Sequence, residues 1–300
     1  MPVSARSLLL GPLLLFAASA LAAPSGVGVV DQVGNTLRLT APVKRIVTLS
    51  PHGAEIVFAV GAGDRLVGVS DFTDYPAEAA HIDRVASGFG VDWERLFELA
   101  PDLVIAWHSG NGAATVERLH ALGFNVYVTE PSVLEDVAVM LRDIGRLVGD
   151  EPAGAAAADA FEARIRTLRA EYRDADEVGV FYQISGQPLM TLNDRHMLAD
   201  VLHSCGGRNV FGELSSIAPV VGLEDVLLRD PHVILLSSGL PAVDAIADEW
   251  RSRDGLRAAA ADTVYVVSAD YLNRSGPRLV AAVEEVCRSL DDARLRLQGQ

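Results

Sequence analysis

Two cysteines, Cys205 and Cys287, are too few to build a disulfide scaffold, and with no CxxC and no Cys/His cluster they support no zinc site. Positive charge is scarce as well. The chain has 25 Lys and Arg against 40 Asp and Glu, a formal net charge of -15. Such a chain is a poor partner for nucleic acid or an anionic lipid surface. The signatures of common active sites are missing too: GxSxG, HExxH, the P-loop, and GxGxxG after a strand. Asp71, Asp74 and Asp270 could make a general acid/base set, but nothing beside them orients a nucleophile. The expectation is a protein without catalysis, cofactor or bound metal. A flexible Gly/Ser linker is also absent, so any two halves must be joined stiffly.

What is present begins with an export signal. Arg6 is the only charge before Asp31, and LLLGPLLLFAASALA follows it, ending in Ala20-Leu21-Ala22. A positive start, an apolar stretch and a small-residue exit predict a signal peptide over residues 1–22, cleaved after Ala22, and a periplasmic protein. The alternative, a membrane anchor, is disfavoured. The stretch is shorter than the roughly 20 residues a span needs, and Gly11-Pro12 interrupts it. In an exported protein an even pair of cysteines reads as one disulfide, here Cys205 with Cys287, worth about 4–5 kcal/mol by loop entropy. Two buried free thiols are the alternative.

Downstream, short apolar strands alternate with helices. A hairpin is expected from 27–33 and 37–40 around Gly34-Asn35. Strands follow at 45–49, 66–70, 103–107 and 126–128, with helices at 55–60, 94–99 and 115–122. A helical tract comes next: 132–148, opened by a Ser132/Glu135 capping box, and then 153–172. The pattern restarts with strands at 178–184, 233–236 and 264–267, and with helices at 197–204, 224–228, 246–251 and 278–290. This predicts an α/β fold of two lobes, each a mainly parallel sheet flanked by helices, joined by one long rigid helix. The N-terminal lobe spans 23–148, the connecting helix 149–175 and the C-terminal lobe 176–300. Ligands of open α/β sheets bind beyond the C-terminal strand ends, so the cleft between the lobes is the expected site.

One unit occurs twice. VDWERLFELAPDLVIAWHSG (91–110) returns as VVGLEDVLLRDPHVILLSSG (220–239), and its acids Glu94 and Glu224 are 130 positions apart. Each acid is followed, seven residues on, by Pro101 or Pro231 and then an apolar strand. Acids near a helix start are favourable in their own right. Their recurrence in two copies suggests a partner that contacts both.

RIVTLSPHGAEIVFAVGAGDRLVGVSDFTDYP, VDWERLFELAPDLVIAWHSGN, LADVLHSCGGRNVF and SADYLNRSGPRL together resemble the BtuF family of periplasmic cobalamin (vitamin B12)-binding proteins that serve ABC importers. The resemblance runs from about Arg45 to the last helix. It implies two lobes on a rigid helix, cobalamin or a related corrinoid as the cleft ligand, and a Cys205–Cys287 bridge. It also implies Glu94 and Glu224 pairing with arginines on the two subunits of an inner-membrane ABC permease. The carrier itself is expected to be a monomer. Its ligand contacts would be Phe72, Trp107, His108, Asp270, Tyr271, Leu272, Asn273 and Arg274, with aromatic walls suited to a flat macrocycle. Tyr75 would instead pack in the turn. The sequence departs from the family where Gly88, Met190 and Ala218 replace aromatics and His108 replaces an arginine. The pocket is therefore reshaped, and haem or a ferric siderophore is the alternative ligand. His108 is either an axial ligand to the metal of such a ligand or a rim residue. Arg274 either binds a phosphate or propionate or braces its loop. His52 and His196 receive no role.

Overall fold

The computed structural model describes residue 1 and residues 26–299, so the signal-peptide reading lies outside the described residues. Strands β1 (Val27–Val30) and β2 (Thr36–Leu39) form the expected hairpin, with Gly34 at a φ of 88°. The first lobe then runs through β3 (Ile46–Thr48), α1 (Pro51–Ala59), β4 (Leu66–Ser70), β5 (Arg84–Ser87), β6 (Gly90–Val91) and α2 (Trp93–Leu99). It ends with β7 (Leu103–Trp107), α3 (His108–Asn111), α4 (Ala113–Ala121) and β8 (Val126–Thr129). Its sheet has the order β6-β5-β4-β3-β7-β8 and is parallel except for the β5–β6 pair.

Helices α5 (Leu134–Val148) and α6 (Glu151–Glu171) follow. The second lobe comprises β9 (Val178–Gln183), β10 (Ser185–Gly186), β11 (Leu189–Met190), α7 (Leu198–Ser204), β12 (Gly207–Asn209) and α8 (Leu223–Arg229). It continues with β13 (Val233–Ser237), α9 (Val243–Arg251), α10 (Arg257–Ala260), β14 (Val264–Val267), α11 (Ala269–Leu272) and α12 (Leu279–Gln298). Its four strands are all parallel, in the order β12-β9-β13-β14. That order repeats β4-β3-β7-β8 of the first lobe, so the sequence repeat is a repeat of topology.

Several expectations need correction. Helix α1 begins at Pro51 rather than at Glu55. Ser50 caps it by accepting from the Gly53 N–H, and a proline in the first turn gives up no needed donor. The acid that caps α5 is Asp136, not Glu135; it accepts from the backbone of Ser132 and Val133. Glu135 is instead paired with Arg169 on α6. Directly after Trp107 the chain makes one helical turn, α3. Strands β5, β6 and β12 are short, and sequence periodicity gave no sign of them.

The lobes are joined, as expected, by the long helix α6, with α5 packed along it. Asp150 caps α6 after Gly149 turns the chain in the left-handed region, and α6 then runs back antiparallel along α5. Arg142 meets Glu162 near the middle of the hairpin, and Arg169 meets Glu135 at its open end. The backbones touch where Gly145 faces Gly154: a Cβ on Gly145 would lie 2.6 Å from the Gly154 Cα. Two small residues allow this approach. Apolar residues of α5 and α6, among them Leu134, Met140, Leu141, Phe161 and Ile165, belong to one buried cluster. That cluster contains Ile46 and Leu103 of the first sheet and Val180 and Leu235 of the second. Separate clusters cover the outer face of each sheet. The lobes therefore share a core and are not two bodies on a tether.

Cys205, at the end of α7, is bonded to Cys287 of α12 across 82 residues. Closing a loop of that length is worth about 4.5 kcal/mol in the chain-entropy model. Replacing both cysteines with alanine should lower the unfolding free energy by roughly 2–5 kcal/mol. Urea titration measures this, and alkylation of the unreduced parent should label no thiol.

Candidate functional site

The two lobes meet along loops that leave the C-terminal ends of their strands. After β4 comes Phe72, an exposed aromatic residue at a φ of 61°. A bulky side chain in that region is an outlier, and such strain collects at functional sites. At the end of β7, Trp107 is half-buried. Its ring stands edge-on to His52 at 5.4 Å, and its backbone N–H donates to Asn111 Oδ1 at 2.7 Å. Asn111 in turn donates to the Leu49 carbonyl at 2.8 Å, so α3 is pinned to the neighbouring strand. His108, also half-buried, keeps a buried Nδ1 with no hydrogen-bond partner. In the second lobe Tyr271 is half-buried, and exposed Asn273 accepts from the Tyr182 hydroxyl at 3.1 Å.

The segment after β14 is tied to the first lobe by charge. Arg274 donates to Asp74 at 2.6 Å, pairs with Asp270 at 2.8 Å and lies 3.7 Å from Glu55. Arg278 meets Glu55 with both nitrogens, at 2.6 and 3.0 Å, and lies over the rings of Tyr75 (4.2 Å) and Tyr271 (5.5 Å). Glu55 is only 3 % exposed, and a bidentate arginine pair is what makes a buried carboxylate tolerable. The hydrogen bond from Arg274 holds the Asp74 carboxyl below the usual carboxylate range.

These contacts revise two expected ligand residues. Leu272 is 2 % exposed, because the single turn of α11 rotates its side chain into the core and away from any ligand. Arg274 has its guanidinium occupied by three carboxylates, the geometry of a brace rather than of an anion receptor. Phe72, Asp270, Tyr271 and Asn273 are brought to the lobe junction by the Arg274–Asp74 bond, while Trp107 and His108 lie at the end of β7. Among the described residues no cluster of three or more His, Cys, Asp or Glu could hold a metal ion.

Two residues without an assigned role prove structural. His52 is fully buried, and its Nε2 lies between Ser50 Oγ (3.3 Å) and Thr129 Oγ1 (3.0 Å). Burial lowers its pKa to about 4, so at neutral pH it is an uncharged support for Trp107. Burial also lowers His196 to about 4. Neither His52 nor Glu55 was singled out from the sequence. A lone acid inside the apolar run GAEIVFAV was the available signal for Glu55, since a buried charge requires a partner.

The repeated acids occupy matching places. Glu94 lies in the first turn of α2 and Glu224 in the first turn of α8, and both are exposed. Both helices have seven residues and end on a left-handed residue, Ala100 and Asp230, each at a φ of 41°. The strands that follow, β7 and β13, hold equivalent places in their sheets.

Two parallel α/β lobes on a shared helical core, with the loops after their strand ends meeting at the junction, are the architecture of a solute-binding protein. The model of the periplasmic binding protein family matches residues 46–271. The vitamin B12-binding protein of Vibrio parahaemolyticus is 34% identical over 253 residues, which is 84% of this chain and 91% of that protein. The vitamin B12-binding protein of Vibrio cholerae is 36% identical over 249 residues, 83% of this chain and 90% of that protein. The crystal structure of periplasmic BtuF of Vibrio cholerae superposes with a TM-score of 0.78, covering 84% of this chain and 98% of that one. The haem-binding protein BhuT has the same fold, with a TM-score of 0.74 at 22% identity. The chain belongs to the periplasmic binding protein family and, within it, to the BtuF group.

Glu55→Gln should cost about 1–3 kcal/mol in urea unfolding, because it removes the anion that half-buried Arg278 meets with both nitrogens. The two buried histidines add to the loss of stability in acid. Their folded pKa of about 4 lies below the model value of 6.5, so the unfolded chain takes up the proton first. Stability is then full above about pH 6.5 and is lost as pH falls through about 4, with a slope of ~1.4 kcal/mol per pH unit for each histidine. His52→Gln should remove about half of that slope in melts between pH 6.5 and 4.5.

Proposed function

We propose that the chain captures cobalamin or a closely related corrinoid in its inter-lobe cleft, in the periplasm, and delivers it without chemical change to an inner-membrane ABC importer. The observation that carries this is the pairing of a rigid cleft, flanked by Phe72, Trp107 and Tyr271, with relatives named for vitamin B12 at up to 36% identity over most of both chains. Flat aromatic walls suit a corrin ring, and a cleft held open in advance avoids the ordering cost of a closing one. Haem is the second reading. It is favoured by the shared fold of BhuT and by His108, a half-buried imidazole beside Trp107 that would serve as an axial donor.

Glu94 and Glu224 are the points at which this carrier would meet its permease. A two-fold partner offers two equivalent cations, and the shared core holds one acid on each lobe at a fixed separation. Asp92 accepts from the Arg95 N–H and Asp225 from the Gly222 N–H, so both helix starts are already capped and neither repeated acid is needed for that purpose.

Mixing the purified protein with cyanocobalamin and with haemin should give stable co-elution of the corrinoid spectrum and none of a Soret band. A Soret band with no corrinoid retained would establish the haem reading instead. Trp107→Ala should weaken corrinoid binding by about 1–3 kcal/mol in calorimetry with the fold intact. The double reversal Glu94→Arg with Glu224→Arg should abolish importer-dependent uptake while leaving corrinoid affinity unchanged. Each single reversal should give a partial and similar loss.

A further inference from the structure

Among the asparagines of the chain only Asn111 is followed by a glycine, Gly112. Such a pair carries its own chemistry. The backbone nitrogen of the glycine attacks the carbonyl carbon of the asparagine side-chain amide. A C–N bond forms, the side-chain nitrogen leaves as ammonia, and water opens the resulting cyclic imide to aspartate or isoaspartate. Glycine permits the attack because it has no Cβ to obstruct the approach. The reaction consumes only water, and it turns a neutral amide into an anion.

The fold puts this pair where that change has consequences. Asn111 is half-buried and ends α3, four residues after Trp107. Its amide makes two bonds of opposite sense. Oδ1 accepts from the backbone N–H of Trp107 at 2.7 Å, and Nδ2 donates to the Leu49 carbonyl at 2.8 Å. A carboxylate has no donor, so aspartate at this place would set an anionic oxygen against the Leu49 carbonyl. Gly110 lies so near the Trp107 ring that a Cβ there would overlap it, so a shift of α3 disturbs Trp107. The same geometry restrains the reaction. The attacking nitrogen of Gly112 is itself engaged, donating to the His108 carbonyl at 3.0 Å. This restraint is local: α3 is a single turn with Ser109 and Gly110 exposed, and freeing the pair breaks these three hydrogen bonds without opening the core.

We propose that Asn111 is a modification site: it deamidates through local opening of α3, and the product loses the Trp107 corner of the cleft. A hydrogen bond is worth about fivefold in an opening equilibrium, so the three together slow the reaction roughly a hundredfold relative to the unfolded chain. Passage through global unfolding would instead slow it by a factor of ~10³–10⁸. A carrier used for many rounds of delivery would thereby age at the residue that holds Trp107 in place. The deamidation does not depend on which ligand the cleft takes, whereas the loss of binding rests on the corrinoid reading above.

The parent protein, folded in mildly alkaline buffer and in parallel unfolded in urea, is followed by peptide mass mapping. The unfolded chain should convert at Asn111 faster than at any other asparagine, and the folded chain between about tenfold and several hundredfold more slowly. Urea below the unfolding transition should leave the folded rate nearly unchanged, because opening one turn exposes little surface. Equal rates in the two states would overturn the inference, as would a folded rate that climbs with urea in step with the unfolded population. The added negative charge lets ion exchange separate aged, refolded protein from the parent. That fraction and Asn111→Asp should each bind cyanocobalamin about tenfold or more weakly in calorimetry. Parental affinity in both would also overturn the inference. Should Asn111→Asp not fold, the rates and the aged fraction carry the test. If the parent itself binds no cyanocobalamin, the corrinoid reading fails, and the rates still decide the modification site.

Discussion

The shared core through α5 and α6 is the constraint on which the rest depends. Because one buried cluster includes residues of both sheets and of both helices, rotating one lobe against the other would expose apolar area that no compensating contact restores. The glycine pair at 145 and 154 brings the helices close enough for that core to be continuous. The relative placement of the lobes is consequently a property of the folded chain, and the Glu55–Arg278 and Asp74–Arg274 pairs tie the second lobe to the first. A binding site of this kind gains affinity from walls already in position and gives up the ability to wrap a ligand.

Charge in this protein is used mainly for fastening. The chain has a single lysine, Lys44, and its cations are otherwise arginines. A planar guanidinium can satisfy two carboxylate oxygens or two separate carboxylates at once, as Arg142 does with Glu162 and Asp159 and Arg278 does with Glu55. An ammonium group would hold those geometries less well. The surplus of acid that remains is distributed over the surface, where it favours solubility and a cationic partner.

The sequence made the strand–helix alternation legible because each strand is a compact apolar run, and it made the repeat legible because both copies keep an acid, a proline and a strand in step. The parts it hid are those in which distant residues complete one another. Nothing local to Glu55 names Arg278, which is 223 positions away, or tells that Arg274 is spent on Asp74 across 200 positions. Leu272 entered the ligand set with the rest of the segment that carries the resemblance, yet one turn of helix was enough to bury it. The two-strand ribbon of β5 and β6 was invisible for a simpler reason: four residues and two residues are too short to show a period.

The doubled topology also has a statistical meaning. With β4-β3-β7-β8 matched by β12-β9-β13-β14 and an acid at the same place in each copy, a two-fold partner of the kind proposed above would meet an equivalent contact point on either lobe. Such an encounter has two productive orientations instead of one, a degeneracy of RT ln 2, about 0.4 kcal/mol. The asymmetry of the molecule then resides in its cargo site, which has Trp107 on one lobe, so the same ligand would arrive at the partner facing either way.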